Sequence, residues 1–176
     1  MVKIFLDNNV FDFLYEKKID IFQEFLKDGY EICMVKEVDF ESELISDPNK
    51  CEFVRALKDK IILKQYFGFY DDRHESSKQR VGGFDNGEYM SCDEGVYYKE
   101  LLSKFHKSDE KRKTDLYKNE ADIILAVRSI KNIVLTNDKK KGPLKNAFDK
   151  GYNIIFLNGY FNGRSLYDYV TSRINP

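Results

Sequence analysis

The stretch that decides the fold is the first one, MVKIFLDNNVFDFL, at residues 1–14. Val2, Ile4, Phe5 and Leu6 predict a buried strand, and Asp7 follows that strand without a break. Burying the charge of an acid at this point costs several kcal/mol unless hydrogen bonds or a cation compensate for it. The sequence therefore predicts a compensating partner for Asp7.

Predicted strands and helices alternate along the rest of the chain. They are a strand at 2–6, a helix over 9–27 ended by Asp28-Gly29, a strand at 30–35, helices at about 37–46 and 49–60, a helix at about 93–106, a helix at 119–130, a strand at 132–136, a helix at about 143–150, a strand at 153–157 and a terminal helix at about 163–173. Residues 61–64 fit either a strand or the end of a helix, and 106–118 predict an exposed, mobile loop. Apolar strands that alternate with helices predict an α/β fold with a parallel sheet covered on both faces.

Length, charge and cysteine spacing bound the class of protein. A chain of 176 residues predicts one domain over residues 1–176. The net charge of −1 gives the whole protein no attraction for nucleic acid or membranes, so any such attraction must come from local patches. The first apolar run is too short for a signal peptide, and no stretch approaches the ~18 apolar residues of a membrane span. Cys33, Cys51 and Cys92 lack metal-ligand spacing, so we expect a cytoplasmic protein without zinc.

Acidic residues follow two of the predicted strands. Asp7 directly follows the first strand, and Asp138 follows the strand NIVLT after one intervening residue. Parallel strands end at the same edge of a sheet, where α/β proteins bind ligands, so both acids can face one crevice. Asp122 lies in the first turn of the preceding helix, on a stripe of small and apolar residues. An acid on that stripe is unusual for a solvated surface.

A fourth acid comes from the helix after the second strand. Glu41 and Glu43 are both candidates, and Glu41 is favoured because it lies one turn after the core residue Val38. Each acid also has a simpler structural role open to it. Asp7 can cap a helix, Asp138 can stabilise a turn, and Glu41 can face solvent.

Several carboxylates around one crevice repel each other. Two unit charges about 4 Å apart at an effective dielectric constant of about 20 cost on the order of 4 kcal/mol. Such acids must be protonated, hydrogen-bonded or neutralised by a cation. Oxygen ligands without His or Cys favour Mg²⁺ or Mn²⁺, and a carboxylate-held Mg²⁺ commonly meets a substrate phosphate. The acids therefore favour phosphodiester chemistry.

Four short motifs, taken in order, resemble the PIN-domain nucleases, the class typified by the toxins of bacterial toxin–antitoxin pairs. The motifs are IFLDNNVF at 4–11, V-x-x-E at 38–41, EADIILA at 120–126 and LTND at 135–138. The resemblance covers about 1–60 and 117–160. The segment of about 65–115 is a longer central insertion that is not typical of the family.

The resemblance implies a three-layer α/β/α sandwich and a Mg²⁺- or Mn²⁺-dependent endoribonuclease that cleaves single-stranded RNA. The implied catalytic and metal-binding acids are Asp7, Glu41, Asp122 and Asp138. The implied supporting residues are Asn8, Asn9, Glu120 and Thr136. An antitoxin protein and a second copy of the chain are the candidate protein partners.

A basic rim is expected around an acidic site that receives RNA. The candidate cations are Lys139, Lys140, Lys141, Lys145, Lys111, Arg112 and Lys113. The lysines after Asp138 are favoured by their position, and a solvated face is the alternative for each basic run. Four aromatic residues can stack on bases, although packing in the core or an interface is the favoured interpretation. They are Tyr66, Phe67, Phe69 and Tyr70.

Two other functions stay open. A phosphatase of the haloacid dehalogenase type also uses a strand-end Asp and Mg²⁺, but it needs a second acid two residues later, where this chain has Asn9. A catalytically inactive PIN-like module that binds RNA or protein would not need the acids that this chain retains. Metal-dependent RNA cleavage, hydrolysis of a generic phosphate ester, and RNA binding without cleavage distinguish the three functions.

Overall fold

The computed structural model describes residues 1–25, 29–68, 74–106 and 111–174. The strands are β1 Val2–Leu6, β2 Tyr30–Met34, β3 Ile62–Leu63, β4 Gln65–Tyr66, β5 Gly87–Glu88, β6 Ile133–Thr136 and β7 Ile154–Phe156. The helices are α1 Asn8–Lys17, α2 Ile21–Phe25, α3 Lys36–Ser42, α4 Pro48–Lys58, α5 Cys92–Phe105, α6 Glu120–Arg128, α7 Pro143–Asp149 and α8 Leu166–Ile174.

A five-stranded parallel sheet in the order β3-β2-β1-β6-β7 forms the centre of the fold. In its register, Phe5 of β1 lies beside Cys33 of β2 on one side and Val134 of β6 on the other. Helix α1 packs against α3 and α4, whereas α6 packs against α5 and α7. The predicted α/β fold, with a central parallel sheet flanked by helices, is confirmed.

Strand β1 lies at the centre of the core. Ile4, Phe5 and Leu6 have no exposed surface, as expected for a parallel strand between two helical layers. Burying side chains of this size stabilises the fold by about 1.5–3 kcal/mol each. At the end of the strand, the Asp7 N–H donates to the Leu135 carbonyl at 3.0 Å. The carboxyl ends of β1 and β6 are thereby held side by side.

The predicted helix over 9–27 is wrong as a single element, because the structure forms α1 and α2 there. Helix α1 ends where Lys18 takes a left-handed backbone conformation with φ of 53°, and its N–H donates to the carbonyls of Leu14 and Tyr15. The Asp20 side chain then accepts from the Phe22 N–H at 3.0 Å and begins a new helix. Asp28, part of the predicted helix end, lies outside the described residues.

The expectation of an exposed loop over 106–118 is also wrong in part. Leu116 and Tyr117 are only 1% and 5% exposed. The Arg112 N–H donates to the Leu116 carbonyl at 2.8 Å, and Lys111 pairs with Tyr117 in a β-bridge. This tight turn directs both apolar side chains inward. Residues 107–110 lie outside the described residues.

Residues 61–64, for which two interpretations were open, contribute the edge strand β3. In the central segment, β4 pairs with β5, and Tyr66, Tyr97 and Leu101 join the main hydrophobic cluster. Packing rather than base stacking is therefore confirmed for Tyr66, whereas Phe69 and Tyr70 lie outside the described residues. None of the described helices combines the length and the hydropathy needed to cross a membrane.

Candidate functional site

A cavity of about 330 Å³ opens at the carboxyl ends of β1 and β6. We call it the acidic cavity, and its described lining is Asp7, Asn8, Asn9, Glu41, Arg112, Asn119, Asp122, Asp138, Lys140, Lys141, Gly142 and Leu144. The four acids suggested by the sequence motifs thus face one space. They come from the end of β1, from α3, from α6 and from the loop after β6.

Asp7 is held by hydrogen bonds on both carboxylate oxygens. Its Oδ1 accepts from the Asn8 N–H at 2.7 Å, which makes Asp7 the N-cap of α1. Its Oδ2 accepts from Asn9 Nδ2 at 2.5 Å and from the Thr136 hydroxyl at 2.6 Å. The side chain is buried, and burial raises its pKa although all three hydrogen bonds favour the charged form. Capping a helix and lining the cavity are therefore compatible roles for Asp7.

The same polar groups join the β1–α1 junction to the loop that follows β6. Asn9 Oδ1 accepts from the Asn137 N–H at 2.5 Å. Thr136 Oγ1 accepts from the Asp138 N–H at 3.1 Å while donating to Asp7. Because these contacts link two strand ends, they fix the position of Asp7 relative to Asp138.

Asp122 and Glu41 are the acids whose charge is least compensated. Burial and the charge of Asp7 raise the pKa of each to about 7, and Arg112 partly offsets the rise. Arg112 Nη1 lies 3.9 Å from a Glu41 carboxylate oxygen. Within the described parts of the chain, the Asp122 carboxylate accepts no hydrogen bond from any residue. A cation in the cavity would relieve this repulsion.

The sequence left open whether Asp138 stabilises a turn or lines a site, and whether Glu41 or Glu43 is the fourth acid. The positions of Asp138 and Glu43 answer both questions. Asp138 does stabilise a turn, since its Oδ1 accepts from the Lys140 N–H at 2.8 Å, and it also lines the acidic cavity. Glu43 is exposed and pairs with Lys78 at 3.3 Å, outside the described lining. Glu41, rather than Glu43, is therefore the acid that α3 directs into the cavity.

Glu120 is not among the described lining residues. Its carboxylate accepts from Arg80 Nε at 2.8 Å and from the Tyr117 N–H at 2.8 Å. Arg80 is only 4% exposed, and nothing in its sequence context predicted a buried arginine. The structure thus pairs Glu120 with a cation from the central segment.

Two further residues near the site escaped the sequence analysis. Asn119 lines the cavity and has a left-handed backbone conformation with φ of 64°, which Asn adopts more readily than most residues other than glycine. Glu37 is buried, and burial together with the charge of Glu120 raises its pKa to about 7. An Asn directly before the acidic start of α6 was the available signal for Asn119, whereas Glu37 had none.

The basic residues divide into two groups. Lys140 and Lys141 line the acidic cavity. A second cavity of about 580 Å³ lies beside it, and we call it the amide cavity; its described lining is Asn9, Asn137, Asp138, Lys139, Lys140 and Asn158. Lys145 pairs with Asp149, and Lys111 pairs with Asp115 at 3.0 Å; neither is in the described lining of the two cavities.

The donors of the acidic cavity suit a hard divalent cation. Its acids offer carboxylate oxygens only, and neither His nor Cys is among the described lining residues. In the described residues, no three acidic, His or Cys side chains are gathered closely enough to form a metal-ligand group. The fit to Mg²⁺ or Mn²⁺ therefore rests on the oxygen donors and on the repulsion among the carboxylates. It does not rest on a preformed coordination group.

No protein-family model matches the sequence, and no curated protein matches it significantly. A similar chain occurs in the crystal structure of VapBC2 from Rickettsia felis bound to a DNA fragment from their promoter. The two chains are 15% identical, the match covers 88% of this chain and 96% of that chain, and the TM-score is 0.44. At this level of similarity, a function has to be inferred from the chemistry of the acidic cavity.

Proposed function

We propose that this protein is a Mg²⁺- or Mn²⁺-dependent endoribonuclease that cleaves single-stranded RNA at the acidic cavity. The observation that carries the proposal is the gathering of four carboxylates from separate elements around one cavity at the end of a parallel sheet. Two of these acids have a pKa near 7 because burial and neighbouring negative charge oppose their ionisation. Such a site is stabilised by a divalent cation and is suited to phosphate chemistry.

The residues that would hold the cation are Asp7, Glu41, Asp122 and Asp138. When held there, Mg²⁺ or Mn²⁺ would lower the pKa of a bound water and polarise a substrate phosphate, so that no protein nucleophile would be needed. The chain supplies the orientation: Thr136 and Asn9 fix the Asp7 carboxylate by donating to it. In the proposal, Thr136 and Asn9 are positioning residues.

Cations of the chain lie where phosphates of an RNA strand would approach. Arg112, Lys140 and Lys141 line the acidic cavity, and Lys139 lines the amide cavity. Asn9, Asp138 and Lys140 are common to both linings, so the two cavities adjoin at these residues. An RNA strand with one phosphate in the acidic cavity could therefore continue into the amide cavity. Amide side chains there can hydrogen-bond to base edges.

The role of Asn9 argues against the phosphatase alternative. In that chemistry an acid at this position protonates the leaving group, whereas Asn9 donates to Asp7 and accepts from the Asn137 N–H. An amide cannot supply the proton. The motif resemblance further supports a place in a toxin–antitoxin pair, in which a partner protein would cover the acidic cavity.

The purified protein tests the proposal directly. Unstructured RNA, DNA of the same sequence and p-nitrophenyl phosphate would each be incubated with Mn²⁺ or with EDTA. We expect internal cleavage of RNA with Mn²⁺ and none with EDTA. Binding of RNA without cleavage under any divalent cation would contradict the proposal in favour of an inactive module, and hydrolysis of p-nitrophenyl phosphate alone would favour a phosphatase.

The lysines after Asp138 should contribute to RNA binding through phosphate contacts. We expect the double variant Lys139→Gln/Lys140→Gln to bind RNA roughly tenfold more weakly, with a salt slope of log Kd reduced by about 1.4, because each contact to a single strand contributes about 0.7. Fluorescence anisotropy at several salt concentrations measures both quantities. Lys145→Gln is the matched control, since Lys145 pairs with Asp149 on α7. An equal loss in the control would indicate a general charge effect.

A further inference from the structure

We infer that Arg80 is a positioning residue of the acidic cavity. Its side chain holds together the three chain segments that carry Glu41, Asp122 and Arg112. The inference rests on the proposed function, because the cavity is taken as the metal site. Arg80 belongs to the central segment that the family pattern does not cover. The central segment would then help to position the residues of the acidic cavity.

Arg80 is buried and uses its whole guanidinium group. Its Nε and Nη2 donate to the two carboxylate oxygens of Glu120 at 2.8 and 3.4 Å. Its Nη2 also donates to the Asp115 carbonyl at 2.8 Å, and its Nη1 donates to the Lys78 carbonyl. A planar fork with several fixed donors makes such a set of bonds, whereas the single ammonium group of lysine does not.

The contacts of Arg80 fall next to residues that line the cavity. The guanidinium carbon lies 5.1 Å from the centre of the Phe40 ring, and Phe40 immediately precedes Glu41 on α3. Glu120 lies two residues before Asp122 in the first turn of α6. Arg80 thus links the helices that carry these two acids.

The third segment runs from Lys111 to Asn119. Arg80 binds the Asp115 carbonyl within it, and Glu120 accepts from the Tyr117 N–H. This segment places Arg112 and Asn119 in the lining of the acidic cavity. Arg80 therefore contacts three segments at residues that lie within three positions of a lining residue, without being in the described lining itself.

The acids of the cavity make this link necessary. Asp7, Glu41 and Asp122 all line this one cavity, so their negative charges repel each other. Helix α3 has only seven residues, and a helix this short depends on tertiary contacts for its position. Without Arg80, repulsion can move α3 away from α6, and the partly buried Glu120 loses its cation. We therefore expect the cavity to bind a divalent cation more weakly.

Arg128, at the C-terminal end of α6, provides a matched control. It is 1% exposed, pairs with Glu88 of the central segment, and lies 3.6 Å from the centre of the Tyr66 ring. It therefore joins the central segment to α6 as Arg80 does, but at the C-terminal end of the helix. Loss of Arg128 should lower stability without changing the geometry of the acidic cavity.

The test compares Arg80→Met and Arg80→Lys with Arg128→Met, each held at a temperature where circular dichroism shows it folded. Isothermal titration with Mn²⁺ measures affinity, and RNA cleavage gives kcat and KM. We expect Arg80→Met to weaken Mn²⁺ binding about tenfold or more and to lower kcat with little change in KM. Arg80→Lys, the milder variant if Arg80→Met does not fold, should show an intermediate loss, and Arg128→Met should keep the wild-type affinity.

Three results would overturn the inference while leaving the proposed metal site in place. Wild-type Mn²⁺ affinity in both Arg80 variants would make Arg80 a purely structural residue. Tighter Mn²⁺ binding would mean that Glu120, once released, acts as a ligand. An equal loss in Arg128→Met would mean that general destabilisation is the cause. Absence of Mn²⁺ binding by the wild-type protein would overturn the proposed metal site as well, so failure of the two proposals can be told apart.

Discussion

Asp7→Asn is expected to abolish Mn²⁺-dependent RNA cleavage, with a loss of roughly a thousandfold or more, since the contribution of a catalytic metal is worth several kcal/mol. The substitution removes one negative charge from the lining of the acidic cavity and leaves the side-chain volume nearly unchanged. The asparagine oxygen can still accept from the Asn8 N–H or from Thr136, which both bond to Asp7 in the wild type. The fold should therefore persist while the metal ligand is lost.

The measurement is the single-turnover rate of RNA cleavage at saturating Mn²⁺, with circular dichroism as the check on folding. Asp12→Asn is the matched control, because it makes the same change on the same helix. Asp12 is half exposed and pairs with Lys50 rather than lining the acidic cavity. A variant at Asp7 that cleaves RNA at the wild-type rate would refute the catalytic assignment of this residue.

Asp122→Asn is expected to stabilise the metal-free protein above pH 7. In the folded protein, burial and neighbouring acids raise the pKa of Asp122 to about 7, against about 3.9 in an unfolded chain. Between these values the folded state binds more protons than the unfolded state, so the free energy of unfolding falls as pH rises from about 4 to about 7. Asparagine carries no charge, so the variant does not lose this part of its free energy of unfolding as the pH rises.

Urea unfolding in EDTA at pH 4.5 and pH 8 measures the effect. We expect a gain of roughly 2 kcal/mol at pH 8, or a few degrees in Tm, and a much smaller gain at pH 4.5. Mn²⁺ should raise the Tm of the wild type by binding to its folded state, and this rise should be largely absent in the variant.

Asp39→Asn is a control of opposite sign. Asp39 pairs with Lys36 and Lys58, and hydrogen bonds from these lysines overcome its burial and hold its pKa below the usual range. Its loss should lower stability at pH 8. A destabilised Asp122→Asn protein at pH 8 would contradict the crowding of acids in the cavity.

The sequence by itself determined the main strands of the central sheet and the placement of acidic residues at the carboxyl edge of that sheet. Strand β1 was recognisable because Ile4, Phe5 and Leu6 are buried on both faces, which requires a continuous apolar run; the expected burial of Val2 is wrong, since it is exposed. Asp7 and Asp138 were recognisable because parallel strands end at one edge. These inferences depend on local periodicity and on a general rule of α/β sheets. The break between α1 and α2 was missed because it depends on one capping side chain, Asp20.

Only the tertiary structure decided which partners these side chains have. It separated Glu41 from Glu43, paired Lys145 with Asp149, and brought Arg80 to Glu120 from forty positions away in the sequence. It also produced the pKa of about 7 at Asp122, which depends on burial and on the distance to other acids. The periodicity of apolar residues shows on which face of its helix or strand a residue lies. Ion pairing and desolvation arise between segments distant in the chain, so no local pattern could reveal them.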